Sequence, residues 1–435
     1  YMAVKVCKFG GTSMADGNVM SRVRNIIESD KDRKYVVVSA PGKRYSGDVK
    51  ITDILYQCHR EVEERGACGA SFELIRNRFN SIVRELNIDF DINSVLDETE
   101  RRINAEKDED FTASRGEYLS ARVMAEVLGA KFIDAEDVIF FDKNGAYDAA
   151  KSDKAINDAL RGAEKAVFPG FYGRGYNGKV KTFSRGGSDI SGAIVARAVN
   201  ATVYENWTDV SGFLACDPRI VDSPRRIKAL SYKELRELSY MGANVLHSES
   251  IFPVRKANIP IHIKNTFRPE DEGTLIQPSV YYTPSGSIVT GIAGKKDFTV
   301  IFIEKSLMNY QIGFVRKVLS VLEKYNVPVE HIPSGIDTMS VVIECSALKD
   351  GKLELILQGI KEAVAPDVLR VNEDIALIAT VGHGMSSSVG TSARLFKAMA
   401  EASVNVRMID QGSSELNIIV GVKNEDCEKC IRAIY

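Results

Sequence analysis

Val4-Lys5-Val6-Cys7-Lys8-Phe9-Gly10-Gly11-Thr12-Ser13 reads as a short β-strand that breaks at two glycines. A helix patterned on Val19, Val23, Ile26 and Ile27 follows it. A lysine at the end of such a strand stands at the ligand crevice of an open α/β sheet. The glycines let backbone N–H groups approach an anion without a Cβ in the way, and the helix behind adds its positive end. This is phosphate-binding chemistry, but not a Walker A loop. The lysine precedes the glycines, and the G-x-x-x-x-G-K-[ST] spacing is absent. Taken alone, K-x-G-G is also what ordinary turn glycines look like.

A second glycine pair, Ser184-Arg185-Gly186-Gly187-Ser188-Asp189, precedes a helix through Ile190, Ile194, Val195 and Val199. Two opposed Gly-Gly loops suit a transferring phosphoryl group held from both sides. Arg185 suits a bidentate grip on a carboxylate; its plainer reading is a surface salt bridge. Asp189 suits either orienting Lys8 or helping with a metal. Glu117 is read at a helix start near Ser114-Arg115-Gly116-Glu117, where a carboxylate favours the helix dipole. With Arg185 it also supplies the opposite charges that an amino acid zwitterion needs. Ser39 ends the buried strand Tyr35–Val38. Trp207-Thr208-Asp209-Val210 and Asp217-Pro218-Arg219 follow a strand at Thr202–Tyr204 and form a candidate nucleotide edge, although Asp-Pro is also a common turn.

The rest of the first 270 residues continues the alternation. Lys165–Phe168 reads as a strand, Asn177-Gly178 as a hairpin turn, and Ser231 with Glu234 as a capping box. The pattern predicts an open, mainly parallel α/β sheet. Residues 266–295, with Pro269, Gly273, Pro278, Pro284 and Gly286, have linker composition, with a strand over Ser287–Ile292 still open. Residues 301–343 then lie over 378–420 at a constant offset of 77. Gly313 meets Gly390, Val327 meets Val404, Ile332 meets Ile409, and Gly335 meets Gly412. Two copies of a β-α-β-β unit are expected. Such units pair and bind small molecules more often than they catalyse.

With 435 residues, a prior of about 150 per domain gives three domains. The 57 basic and 59 acidic residues argue against nucleic-acid or anionic-membrane binding, which usually needs a basic face. No apolar run approaches a membrane span, and no h-region opens the chain. Seven scattered cysteines fit a reducing cytoplasm better than a disulfide framework. Cys427 and Cys430 lack the second pair that a zinc site wants, and five scattered histidines make no metal motif, so no metal-ligating residues are assigned.

Lys8–Ser13, Ser114–Glu117, Lys181–Asp189, Trp207–Arg219 and Met241–His247 resemble the signature segments of aspartate kinases, within the amino acid kinase superfamily. The tandem repeat resembles the paired ACT domains of the same enzymes. The resemblance covers nearly the whole chain in the family's order. It implies a three-layer, mainly parallel α/β kinase domain (the amino acid kinase fold) over 1–275, a hinge over 276–297, and two ferredoxin-like α+β ACT domains over 298–372 and 373–435. It implies transfer from ATP, with Mg²⁺, to L-aspartate, giving 4-phospho-L-aspartate in a cytoplasmic enzyme. By resemblance, Lys8 stabilises the transferring phosphoryl group with backbone help from Gly10 and Gly11, and Asp189 organises Lys8. Ser39, Thr52, Glu117, Arg185 and Ser188 match the substrate side, with Glu117 on the amino group and Arg185 on a carboxylate. Thr208, Asp209, Leu214, Asp217, Arg219, Asn244 and Val245 match the nucleotide side. Leu214 stands where some relatives carry tyrosine, Asn244 where many carry a phosphate-contacting lysine, and Ser248 where many carry proline. For an amino-acid effector the candidates are Met308, Tyr310, Gly313, Phe314 and Val315 on one loop, and Val329, Glu330, Ser334 and Asp337 on its partner. Glu330 could take an ε-ammonium, which favours lysine over threonine. ACT pairing implies a homodimer or dimer of dimers. The rival readings are a glutamate, acetylglutamate or uridylate kinase and a non-catalytic amino-acid sensor.

Overall fold

Short β-branched runs and amphipathic stretches organise the chain into two units, drawn from residues 1–213, 228–235 and 244–283, and from 214–227, 236–243 and 284–435. The computed structural model describes residues 3–184, 186–242, 246, 250–278 and 287–435.

In chain order the first unit runs β1 (Lys5–Phe9), α1 (Gly17–Glu28), β2 (Arg33–Val38), α2 (Ile51–Arg65), α3 (Gly69–Leu86), α4 (Ile92–Glu106), α5 (Glu109–Leu128), β3 (Lys131–Phe132), α6 (Ala135–Val138), α7 (Ala149–Ala159), β4 (Ala166–Pro169), β5 (Tyr172–Arg174), β6 (Val180–Thr182), α8 (Gly187–Ala198), β7 (Val203–Thr208), β8 (Ala229–Ser231), α9 (Tyr232–Tyr240, which runs past the unit's last residue here), α10 (Phe252–Lys256), β9 (Ile261–Asn265) and β10 (Thr274–Gln277). Eight strands form one sheet in the order β3-β4-β2-β1-β7-β9-β10-β8. Pairing is parallel from β3 through β9 and between β10 and β8, and antiparallel between β9 and β10. Central strands covered on both faces need continuous apolar runs, and Val6, Cys7, Phe9, Val37 and Val38 are fully buried. Helices α1–α5 pack together and onto β2 and β4, while α8 lies on β1, β2 and β7 and carries α7 and α10. From β1 the chain goes first to one neighbour, β2, and returns much later on the other side as β7. The carboxyl end of β1 is therefore a topological switch point, where open α/β sheets bind ligands.

One helix differs from the sequence expectation. α5 begins at Glu109, because Asp108 caps it by accepting from Phe111 N, with Glu109 and Asp110 in the first turn. Glu117 thus stands two turns inside the helix, not at its start. The hairpin at Asn177-Gly178 joins β5 to β6, and the Ser231–Glu234 capping box forms, with Ser231 N donating to Glu234 Oε2 at 2.7 Å. The stretch with linker composition contributes β10 to the sheet.

The second unit runs β11 (Gly291–Glu304), α11 (Phe314–Lys324), β12 (Thr338–Glu344), α12 (Lys352–Val364), β13 (Val368–Val381), α13 (Thr391–Glu401), β14 (Met408–Asp410), β15 (Asn417–Lys423) and α14 (Cys427–Ile434). Its strands form one antiparallel sheet, β12-β11-β13-β15-β14. The 77-residue offset holds at both ends of α11 and α13. Gly313 and Gly390 precede these helices in the same left-handed conformation, at φ 79° and 84°. Each copy has its own apolar core. The strand considered over Ser287–Ile292 begins at Gly291. Residues 214–227 belong here: Ile292 N donates to Ala215 O at 2.7 Å, and Cys216 packs in the core of the second copy.

Candidate active site

At the head of β1, Lys8 is only 8 % exposed and its Nζ lies 2.7 Å from Asp189 Oδ1, in the first turn of α8. Asn206, paired with Lys8 across β1 and β7, donates its Nδ2 to the same Oδ1 at 2.8 Å. Tyr204 OH donates to the Asp189 carbonyl at 3.0 Å. A nearly buried ion pair persists only when its remaining valences are met, and Asn206 meets one of them. The parallel register brings Asn206 here across some 200 residues of sequence, so no local motif announces it.

The backbone around this pair is open to an anion. Gly10 N–H donates to Trp207 O at 3.1 Å, so it is part of the sheet rather than a free donor. Gly11 and Thr12 N–H have no partner among the described residues. Of the two donors expected on Gly10 and Gly11, the Gly10 N–H is taken up by the sheet and the Gly11 N–H has no partner among the described residues. Gly42 N donates to Gly11 O at 2.8 Å, and a Cβ on Gly42 would sit 2.7 Å from Gly11 C, so glycine is required for this approach. Gly186, φ 57°, caps α8 without a side-chain hydrogen bond, so the helix's first N–H groups are uncapped among the described residues. Ser188 Oγ lies against Gly170 at the end of β4. Arg185 lies outside the described residues.

Glu117 faces the loop after β2. It is 5 % exposed, and Ala40 N–H donates to its carboxylate. Its Oε2 has no hydrogen-bond partner among the described residues. Burial pushes its pKa up to about 8, against the pull of the Ala40 and Glu117 N–H groups and of Arg115. Ser39 N donates to Phe9 O at 3.1 Å, which ties this loop to β1. Thr52 lies in the first turn of α2, whose Ile51 N donates to Pro41 O at 3.2 Å. Residues 42–50 are braced by buried Arg78, which donates to Ala15 O, Gly42 O, Val49 O and, at 2.8 Å, Asp48 Oδ2. Hydrogen bonds from Arg44, with further help from Arg78, hold Asp48 well below the usual carboxylate range. Sequence reasoning missed Arg78 and Asp48, because an arginine and an aspartate thirty residues apart carry no spacing signal.

Of the nucleotide candidates, Thr208 ends β7 and its Oγ1 donates to Asp209 Oδ1 at 3.4 Å. This turn leans on Asn265, which donates to Asp209 O and Ser211 Oγ. In the second unit, Leu214 pairs with Arg226, and Asp217 holds exposed Arg219 at 2.7 Å. Asn244 and Val245 lie outside the described residues, as does Ser248. Among the described residues no three Asp, Glu, His or Cys side chains converge as a metal cage.

In the first repeat the two candidate effector segments meet: Met308 N donates to Asp337 Oδ1 at 3.3 Å. Met308 and Phe314 belong to the core, with Val329 packed against it, while Tyr310, Val315 and Ser334 are exposed. Gly313 caps α11. Glu330 is half-buried and makes no ion pair among the described residues; burial, then nearby Glu344, raises its pKa.

The amino acid kinase family model matches residues 3–265, and an ACT domain model matches residues 378–435. The chain is 37 % identical to aspartokinase 3 of Bacillus subtilis, over 99 % of this chain and 98 % of that one. Against the crystal structure of Clostridium acetobutylicum aspartate kinase the TM-score is 0.90 at 52 % identity, covering 100 % of this chain and 98 % of that one. Against E. coli aspartokinase III in complex with aspartate and ADP, described as the R-state, it is 0.74 at 26 % identity, over 99 % and 98 %. The same enzyme with lysine and aspartate, described as the T-state, gives 0.72 at 26 % identity, over 99 % and 98 %. The chain belongs to the aspartokinases of the amino acid kinase family.

Proposed function

We propose that the chain transfers the γ-phosphoryl group of ATP to the side-chain carboxylate of L-aspartate, giving 4-phospho-L-aspartate and ADP. The observation that carries this reading is the buried Glu117 carboxylate, with an oxygen unpartnered among the described residues, at the same strand ends as the Lys8–Asp189 pair. An α-ammonium is the ligand such an oxygen wants. In the reaction an aspartate carboxylate oxygen attacks the γ-phosphorus, and the bond to the β–γ bridging oxygen breaks. The nucleophile is already ionised at neutral pH, so no general base is needed. What the site must supply is position and positive charge. Lys8 supplies the charge, and Asp189 with Asn206 fixes where its ammonium points. Gly11, Thr12 and the α8 N-terminus supply backbone donors to phosphate oxygens. Ser39, Thr52, Arg185 and Ser188 complete the substrate side. Thr208 and Asp209, at the end of β7, take the nucleotide side. Asp189 is the carboxylate at hand that would help hold a Mg²⁺ ion, and the ion would supply charge neutralisation beside the phosphates.

The ACT pair serves as sensor, and we assign it lysine: Glu330 is a half-buried carboxylate with no ion pair among the described residues, suited to an ε-ammonium. The lysine complex of E. coli aspartokinase III supports this choice. Pairing of chains through the ACT repeats is supported by Ile312 and Val389, which occupy equivalent places in the two copies and are both fully exposed. Inhibition is then a population shift between kinase states.

The test is ADP release with aspartate against succinate, which lacks only the amino group. Aspartate is expected to react well and succinate about 10- to 100-fold more slowly, the worth of a charged hydrogen bond. Equal rates, or activity on glutamate or acetylglutamate instead, would refute the assignment.

A further inference from the structure

We propose that the surface cavity between α4 and α5 binds a small, multiply charged anion bearing phosphate or several carboxylate groups. The cavity measures about 250 Å³, and none of the crevice residues line it. Three guanidinium groups do: Arg102 from α4, and Arg115 and Arg122 from α5.

Their charges are unevenly met. Arg102 is held by Glu106 at 2.6 Å. Arg115 is 2 % exposed, yet it makes no ion pair among the described residues; its Nε and Nη2 both donate to Ser114 Oγ, at 3.0 and 2.8 Å. Rings of Phe111, Tyr118 and Tyr172 surround it at 4.3, 4.5 and 5.2 Å. Glu117 and Glu136 attract it only at longer range. Arg122 donates to Tyr118 OH at 3.1 Å and likewise has no carboxylate. The one acid lining the cavity, Glu98, is already bound to Arg101 at 2.6 Å. Two guanidinium groups without anions therefore share a cavity in which no carboxylate is without a cation. Aromatic faces offset part of a buried cation's lost hydration, but an arginine this buried is ordinarily paired. The planar fork of a guanidinium matches phosphate and carboxylate oxygens alike.

This site stands independently of the kinase assignment. Its test is isothermal titration calorimetry of the full chain with pyrophosphate and with citrate, in wild type, Lys8→Ala and Arg122→Gln. Saturable binding of either probe is expected, retained in Lys8→Ala and weakened tenfold or more in Arg122→Gln. Pyrophosphate alone would assign a phosphate ligand, and citrate alone a polycarboxylate. Arg122 is part-exposed, so its variant keeps the test sound where Arg115→Met fails to fold. Absence of saturable binding at millimolar probe, loss in Lys8→Ala, or unchanged binding in Arg122→Gln would overturn the proposal.

Discussion

Glu117 couples the charge state of one buried carboxyl to both folding and substrate binding. Its carboxyl titrates at about 8 in the folded chain against a usual 4.5. The folded state thus holds a proton that the unfolded state has released. That contribution to stability is complete below pH 4.5 and is lost as pH rises through about 8. Thermal unfolding should show wild type losing ground to Glu117→Gln between pH 5 and pH 9. Binding an ammonium requires the ionised form, so each pH unit below about 8 should weaken aspartate binding by up to tenfold, or about 1.4 kcal/mol. KM for aspartate is expected to fall from pH 6.5 to 8 in wild type and to stay flat in Glu117→Gln. Asn206 acts through Asp189 rather than on substrate, so it is a positioning residue. Asn206→Leu removes one hydrogen bond to a charged group, worth about 1.5–3 kcal/mol. The expected result is a kcat about 10- to 100-fold lower with little change in KM for ATP; a KM effect alone would place Asn206 elsewhere in the mechanism.

Two glycines separate conformation from space at the scale of elements. Gly390 caps α13 at φ 84° with open space where a Cβ would go, so Gly390→Ala should cost about 1–2 kcal/mol through backbone strain alone. Gly192 in α8 is free of φ strain, but its Cβ would lie 2.5 Å from Tyr204 OH. Gly192→Ala should cost about 1–3 kcal/mol and also lower turnover, because Tyr204 steadies the Asp189 backbone. Urea unfolding beside ADP release separates the two cases. Elements were legible where their signals are local. The β1 strand with its glycine break, the Ser231–Glu234 capping box and the Asn177-Gly178 turn each sit within a few residues. The start of α5 is signalled locally by Asp108-Glu109-Asp110, at least five residues before the Ser114–Glu117 stretch at which the sequence pattern places it. The partners of Lys8 and the brace on residues 42–50 were not legible, because β-register and tertiary packing set them. A buried arginine such as Arg78 looks in sequence like any surface one.

For the whole molecule, the 77-residue offset accounts for α11, α13 and their capping glycines; α12 and α14 lie outside the aligned stretches, and the strand expected after each helix forms only in the second copy, as β14, the first showing an isolated bridge at His331. The offset did not show that residues 214–227 and 236–243 group with the repeats, since that depends on contacts between distant segments. The repeat also makes the assembly testable. Ile312→Asp with Val389→Asp should lower the mass seen by light scattering toward the monomer and reduce inhibition by lysine; an unchanged mass would move the interface elsewhere. The central claim is that the Lys8–Asp189 pair drives phosphoryl transfer to aspartate. The most direct measurement is aspartate-dependent ADP release with Mg-ATP, in wild type beside Lys8→Ala shown to be folded by its melting temperature. Turnover is expected in wild type, with a loss of 100-fold or more in the variant. Undiminished turnover in folded Lys8→Ala, or no aspartate-dependent turnover in wild type, would contradict it.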